Sequence, residues 1–360
     1  MPDLHVNHTP KMTAFLVGRG VFRDAPLVVA DIGARGGVES YWEVFGQDIR
    51  IVAFEVDAEE CARLNEGNDR RVRYLPHALG HDIGPRTLYV ANHSPSSSFH
   101  KPNPAYHARY LDRSNLETLR EITVQTTTLP VALAANGIPT PDFIKIDVEG
   151  AELEILQGAA EVMRSPDMLG LVTEVRFTSA SSGCPLFWEM ERYAREVGLE
   201  LYDLDTYRHS KRALPYPYLY DFRDSADQPI AGCSIQGQIL WGDALYLRDY
   251  AGHSAAAPQR RKLVALACLY EIFGLNDCAA ELLLQHRATF EEIAPVQSLL
   301  DLLVPEAKSK GLSYAEYMNR NIVTDPLLRP TWPRRYPEAI VANYDGRFVP
   351  SWVSKWWFGR

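Results

Sequence analysis

The chain contains no CxxC pair: its five cysteines, Cys61, Cys184, Cys233, Cys268 and Cys278, are scattered and odd in number. That pattern argues against a zinc ribbon or a disulfide framework, leaves each thiol as a small buried hydrophobe, and suits a reducing cytoplasm. No apolar run of about eighteen residues occurs, so no segment reads as a transmembrane helix. The first twenty residues hold Asp3, His5, Asn7, His8 and Lys11 without an uninterrupted apolar stretch, and do not make a signal peptide. Basic charge is scarce, with 37 Lys and Arg against 46 Asp and Glu and a formal net charge of -9. No broad positive field is available for a nucleic acid or an anionic membrane. What remains is an ordinary globular chain of 360 residues, 46% hydrophobic and 23% charged. It is long enough for one large core with a smaller appendage.

Short apolar runs alternate with helical patterns over the first two-thirds. Val28–Ile32, Ile49–Glu55, Val72–Leu75, Phe143–Val148, Leu169–Val175, Leu201–Leu204 and Ala244–Leu247 read as a seven-stranded set. Arg86–Ala91 and Ile122–Thr128 alternate in polarity and read as extra strands. Helices are expected at Glu39–Phe45, at Ala58–Asn65 and from near Glu149. Strands alternating with helices predict a doubly wound, mainly parallel α/β sheet. Past Ala251 the pattern turns helical, with Arg261–Phe273 and Cys278–His286 joined by Gly274-Leu-Asn-Asp277, and a capping box at Ser313-Tyr-Ala-Glu316. The expected division is a segment 1–24, a domain 25–250, a helical appendage 251–325 and an aromatic-rich tail 326–360. The tail carries Trp332, Trp352, Trp356 and Trp357; it could sit at a membrane interface, but packing on its own domain or on a second subunit is the favoured reading.

Three segments carry chemistry. Val28-Val-Ala-Asp-Ile-Gly-Ala-Arg-Gly-Gly37 ends a strand in an acid and continues in glycines that let backbone pass close to a ligand. In open α/β sheets ligands bind beyond the carboxyl ends of the strands. No Gly-Lys-Ser/Thr follows, so the loop is not a Walker A. The carboxylate of Asp31 suits an ammonium better than a pyrophosphate, although alone the loop also reads as a plain turn joining strand to helix. Ile51-Val-Ala-Phe-Glu-Val-Asp57 then places Glu55 about 20 residues on, where a carboxylate accepts hydrogen bonds from a ribose diol. Asp57 reads as a helix cap. Phe143-Ile-Lys-Ile-Asp-Val-Glu-Gly-Ala-Glu-Leu-Glu154 delivers Asp147 to the same edge.

Together these segments resemble the FkbM family of S-adenosylmethionine-dependent methyltransferases, with Ile144-Lys-Ile-Asp-Val-Glu-Gly-Ala-Glu152 and Leu156-Gln-Gly-Ala159 close to its signature. The resemblance covers about Ala25–Asp249. It implies a Rossmann-like, seven-stranded class I methyltransferase sheet. It implies that Asp31, Gly33 and Gly36, in the loop with Ala34 and Arg35, hold the methionine portion of S-adenosylmethionine. Glu55 would bind the ribose, and His77 and Ala78 would flank the adenine. Arg35 departs from the small polar residue that many members carry there.

Methyl transfer to a hydroxyl needs alignment, exclusion of water and a base. Candidates at the sheet edge are Asp147, which also counts among the cofactor contacts, then Glu174, Glu149 and His100. Each has a bland alternative: Asp147 orients the cofactor, Glu149 favours a helix N-terminus and His100 is a surface loop residue. Clustered carboxylates suit Mg²⁺, but the spacing is diagnostic of no metal. Tyr202, Tyr207, His209, Tyr216, Tyr218 and Tyr220 concentrate near Pro215 and Pro217, a composition that fits sugar faces or a tyrosine-packed loop equally well. The expectation is an O-methyltransferase acting on a sugar of a glycan, glycolipid or nucleotide-linked saccharide. Its rivals are methylation of a polyketide or other secondary-metabolite hydroxyl, a non-catalytic scaffold, and a nicotinamide oxidoreductase.

Overall fold

The computed structural model describes residues 4–67, 69–110, 116–218, 221–223, 229–251, 258–305 and 311–318. It divides into two compact units, Met1–Leu275 and Asn276–Arg360.

Among the described residues, twelve strands lie in the first unit: β1 Leu27–Ile32, β2 Ile49–Phe54, β3 Val72–Leu75, β4 Ala78–Leu79, β5 Gly84–Ala91, β6 Thr118–Thr127, β7 Phe143–Ile146, β8 Gly170–Arg176, β9 Glu200–His209, β10 Asp221–Arg223, β11 Pro229–Ala231 and β12 Gln238–Leu247. Its helices are α1 Lys11–Gly18, α2 Ala58–Asn65, α3 Pro104–His107, α4 Leu129–Ala135, α5 Glu152–Gly158, α6 Ala160–Arg164, α7 Phe187–Glu196 and α8 Arg260–Ile272. The second unit holds α9 Asn276–Gln285, α10 Arg287–Glu291, α11 Val296–Leu303 and α12 Tyr314–Met318.

The expected Rossmann-like seven-stranded sheet is present in the order β3-β2-β1-β7-β8-β12-β9. All neighbours run parallel except β12, which is antiparallel to both β8 and β9. Central strands are covered on both faces and therefore read as continuous apolar runs. β1 and β7 are buried at every position. The edge strand β9 is only half buried and interleaves Asp203 and Asp205 with apolar residues, so its apolar run on paper is shorter than the strand.

One face packs Ala30, Val52, Phe54 and Ile144 against Leu153 and Leu156 of α5 and Met190 of α7. On the other side, Phe143 of β7 lies 5.4 Å from both Trp42 and Phe273, and Phe273 directly follows α8. The α8 segment, read above as opening the appendage, lies within the first unit, and its residues 262–272 are all buried. A helix apolar on every side has no solvent face to offer and is buried. Its Arg261 and Lys262 bond Asp142, whose carboxylate also accepts from the Val28 amide at 2.8 Å, tying α8 to the roots of β1 and β7.

Other local details differ from expectation. Glu39–Phe45 is a 3₁₀ turn over Ser40–Phe45. The helix anticipated near Glu149 starts at Glu152, because the Glu152 carboxylate accepts the amides of Val148 and Gly150 at 2.9 Å and holds 148–151 as a turn. The two extra strands pair with each other, β5 antiparallel to β6, in a separate sheet of order β4-β6-β5. The capping box forms, with Ser313 and Glu316 bonded reciprocally at the start of α12. Tyr220 and the tail segment Phe348–Phe358 lie outside the described residues.

Candidate active site

A cavity of about 950 Å³ opens at the carboxyl edge of β1, β2, β7 and β8, where the early half of the reversed β12 also arrives. Its size is that of a small-molecule site. Gly33, Arg35, Glu55, His77, Ala78, Asp147, Glu149 and Glu174 line it, whereas Asp31, Ala34, Gly36 and His100 do not.

The loop after β1 is shaped by close approach. Gly33 has φ +88°, and a Cβ there would sit 1.9 Å from the Asp147 carbonyl oxygen. Its amide and that of Ala34 both donate to the Phe54 carbonyl, at 2.9 and 3.1 Å, which pins the loop onto β2. Ala34 is fully buried in a minor cluster with Ala53, Cys61 and Tyr74. The Gly36 amide donates to Glu60 at 3.2 Å. Glu55 is buried, accepts the Asp57 amide at 2.9 Å, and has Arg35 Nη1 3.9 Å away. Burial raises its pKa, and the Asp57 amide and Arg35 pull it back. Arg35 also pairs with Asp57 at 3.3 Å, and Asp57 caps α2 as expected.

Asp31 is buried and faces a residue that sequence reasoning passed over. Lys145, its register partner on β7, places Nζ 3.5 Å from Asp31 Oδ1, 3.5 Å from the Gly33 carbonyl and 4.0 Å from Asp147 Oδ2. Burial raises the Asp31 pKa against the pull of Lys145. Burial also opposes the charge of Lys145, but Asp31, Asp147 and Glu39 outweigh it and hold the ammonium above the ordinary lysine range.

Further along the floor, Arg176 donates to Glu149 at 2.7 Å and to Glu174 at 3.0 Å. Glu149 is the sole non-glycine residue with positive φ among those described, at +61°, a conformation costing about 1–2 kcal/mol. Its bond to Arg176 and the Ser98 hydroxyl on its carbonyl (2.6 Å) hold it there. Burial pushes Glu174 well above the carboxylate range, with Arg176 opposing and Glu149 and Glu152 adding to the rise. Asp147, Glu152 and Glu174 bring one oxygen each within 4.8 Å of one another, a set that can hold a cation. Arg176 already supplies positive charge there, and two amides occupy Glu152. His100 donates from Nδ1 to the Ser182 carbonyl at 3.0 Å.

Tyr207, Trp241 and Asp243 also line the cavity, and only the first had been singled out. The signal for Asp243 was an acid embedded in the apolar run of Trp241–Leu247, the same signal that marked Asp147. Burial pushes Asp243 up to about 8, aided by Asp147, and pushes Glu152 up to about 7. Each group binds its proton more tightly folded than unfolded, so stability contributed at low pH is lost as pH rises from about 4.5 to 8. The thermal midpoint is expected to fall across that window, and Asp243→Asn to flatten the slope in a pH series of melts. An unchanged slope in the variant would count against the buried, raised carboxyl.

Residues 31–201 match the family model described as the methyltransferase FkbM domain. Among solved structures, the chain is similar to the methyltransferase FkbM from Methylobacillus flagellatus KT (14% identity, TM-score 0.32). That match covers 62% of this chain and 43% of that one, less than half the relative's length. It is also similar to precorrin-6y C5,15-methyltransferase from Geobacter metallireducens GS-15 (12% identity, 66% and 87% covered, TM-score 0.31). A third is magnesium protoporphyrin IX methyltransferase from Synechocystis PCC 6803 with bound SAM (8% identity, 66% and 76% covered, TM-score 0.30). No curated protein matches. Sheet order, glycine loop and domain match mark residues 31–201 as a methyltransferase FkbM domain built on a seven-stranded Rossmann-like sheet.

Proposed function

We propose that the chain is an O-methyltransferase whose acceptor is a hydroxyl on a sugar of a glycan, glycolipid or nucleotide-linked saccharide. The observation that carries this reading is the convergence of Gly33, Glu55, His77 and Asp147 on one cavity inside an FkbM domain. The residues fit the cofactor: a loop with no room for a Cβ, and a buried carboxylate at the end of β2. The loop Asp31–Gly36 would hold the methionine portion, Glu55 the ribose, and His77 and Ala78 the adenine. S-adenosylmethionine supplies a methyl group on a positively charged sulfonium.

The chain's own residues do the rest. Asp147, partly exposed to the cavity, would accept the hydroxyl proton. Glu149 and Glu174 are both engaged by Arg176, and burial favours the protonated form of Glu174, so neither is as ready to take a proton. The seven carboxylates Glu55, Asp57, Glu59, Asp147, Glu149, Glu174 and Asp243 on the cavity wall outnumber its guanidinium groups Arg35, Arg120 and Arg176. Leu88, Val90, Ile122 and Val124 form an apolar wall on the small sheet, which favours a polyketide or other secondary-metabolite hydroxyl as the second reading. Free cysteines throughout are the basis for placing the protein in a reducing cytoplasm. No helix among the described residues is long and apolar enough to cross a membrane.

Calorimetric titration with S-adenosylhomocysteine beside NAD tests the reading. Micromolar binding of the first alone supports it, and binding of neither sinks it in favour of a scaffold. Glu55→Ala is expected to weaken that binding by about 1.5–3 kcal/mol, the usual range for hydrogen bonds to a charged group. Asp147→Asn is expected to lower turnover about 10²-fold or more while sparing affinity. Equal losses in both would make Asp147 a binding residue only.

A further inference from the structure

The end of the cavity built by β8, β9 and β12 is not used by the steps above. Asp243 pairs across the ladder with Glu174 on β8 and Asp205 on β9, so three acids stand abreast on neighbouring strands. Asp243 is only 5% exposed yet lines the cavity, and its Oδ2 has no hydrogen-bond partner among the described residues. Two positions earlier, on the same face of the strand, Trp241 stacks on its cross-strand neighbour Tyr207 at 4.1 Å between ring centroids, 27° from parallel. Tyr207 donates its hydroxyl to Asp205 at 2.9 Å, and the Trp241 indole donates to His209 at 3.3 Å, so both rings are fixed.

A lone buried carboxyl oxygen beside aromatic rings calls for a cation. A neutral hydroxyl donor would not offset the cost of ionising buried Asp243 near Asp147 and Asp205, against the pull of Lys145. An ammonium supplies both a donor and a charge, and the ring faces add cation–π attraction of about 0.5–2 kcal/mol. We propose that Asp243 and the Tyr207–Trp241 stack form a subsite for a protonated amine on the acceptor, making an amino sugar the acceptor class. This rests on the O-methyl-transfer reading above. An amine held as an ammonium has no lone pair, so the neighbouring hydroxyl remains the nucleophile.

The full chain, saturated with S-adenosylhomocysteine, is titrated with glucosamine and 2-deoxystreptamine, beside glucose and myo-inositol. Both amines are expected to bind about tenfold or more tighter than their neutral counterparts, at least 1.4 kcal/mol. Asp243→Asn is expected to erase that preference while leaving S-adenosylhomocysteine affinity unchanged. Because Asp243 titrates at about 8, amine binding near pH 7 should release a proton, read as a heat that varies with the buffer's ionisation enthalpy. The release should fade above that pH and be absent in the variant. No amine binding, equal binding of neutral sugars, or a preference that survives in Asp243→Asn overturns the proposal. If the wild type fails to bind S-adenosylhomocysteine, the methyltransferase reading itself has failed, which is a separate result.

Discussion

Replacing Lys145 by methionine is expected to cost about 3–5 kcal/mol of folding stability, the penalty for leaving a buried charge without its partner. The ammonium lies 3.5 Å from Asp31 and 4.0 Å from Asp147, and is the one cation paired with Asp31 among the described residues. Methionine fills similar volume but leaves the buried Asp31 carboxylate, already raised by burial, without its counter-charge. Since the folded state holds Lys145 above its ordinary value, its contribution is complete below about pH 10.4 and is lost only as pH rises beyond. The double variant Lys145→Met with Asp31→Asn should recover most of the loss. Thermal and urea melts of the three proteins check this, and a single variant as stable as wild type would show that the pair does not hold the edge together.

Gly33→Ala is expected to abolish S-adenosylhomocysteine binding and to destabilise the chain by about 2–6 kcal/mol, adding backbone strain at positive φ to overpacking. The new Cβ meets backbone, the Asp147 carbonyl at 1.9 Å, which no side-chain rotation relieves. Gly36→Ala is the control. It has the same handedness, φ +85°, but nothing within 4 Å, so only the strain of about 1–2 kcal/mol applies. Calorimetry and melts on both variants separate the two causes. Similar behaviour of the two would mean that contact with Asp147 is not what excludes a side chain at Gly33.

Local signals made much of the fold and cofactor edge legible. Asp31–Gly37, Glu55 and Asp147 each sit where an apolar run meets a turn, and that junction is visible in a few consecutive residues. The full length of β9 was not visible, because an edge strand wets one side and mixes Asp203 and Asp205 into its pattern. Lys145 was quoted within a motif without a role, since its meaning comes from Asp31, 114 residues earlier and adjacent only through strand pairing. Arg176 escaped for the same reason: its role comes from engaging Glu149 and Glu174 together, two of the candidate bases. Of the tyrosine-rich stretch, Tyr207 alone lines the cavity among the described residues, while Tyr202 bonds Tyr270 and Tyr216 and Tyr218 face solvent.

The reversed direction of β12 has a consequence for how such a site diversifies. Because β12 runs against its neighbours, the chain entering it arrives at the ligand edge, and Trp241 and Asp243 follow within a few residues of that entry. The proposed cofactor contacts, by contrast, lie at or just past the carboxyl ends of β1, β2, β3 and β7, earlier in the chain. On the proposed assignments, the two ligands are thus served by separate stretches of gene. On the proposed reading, exchanging or lengthening residues 210–237, between β9 and β12, is expected to change the acceptor while the proposed methyl-donor contacts are inherited intact.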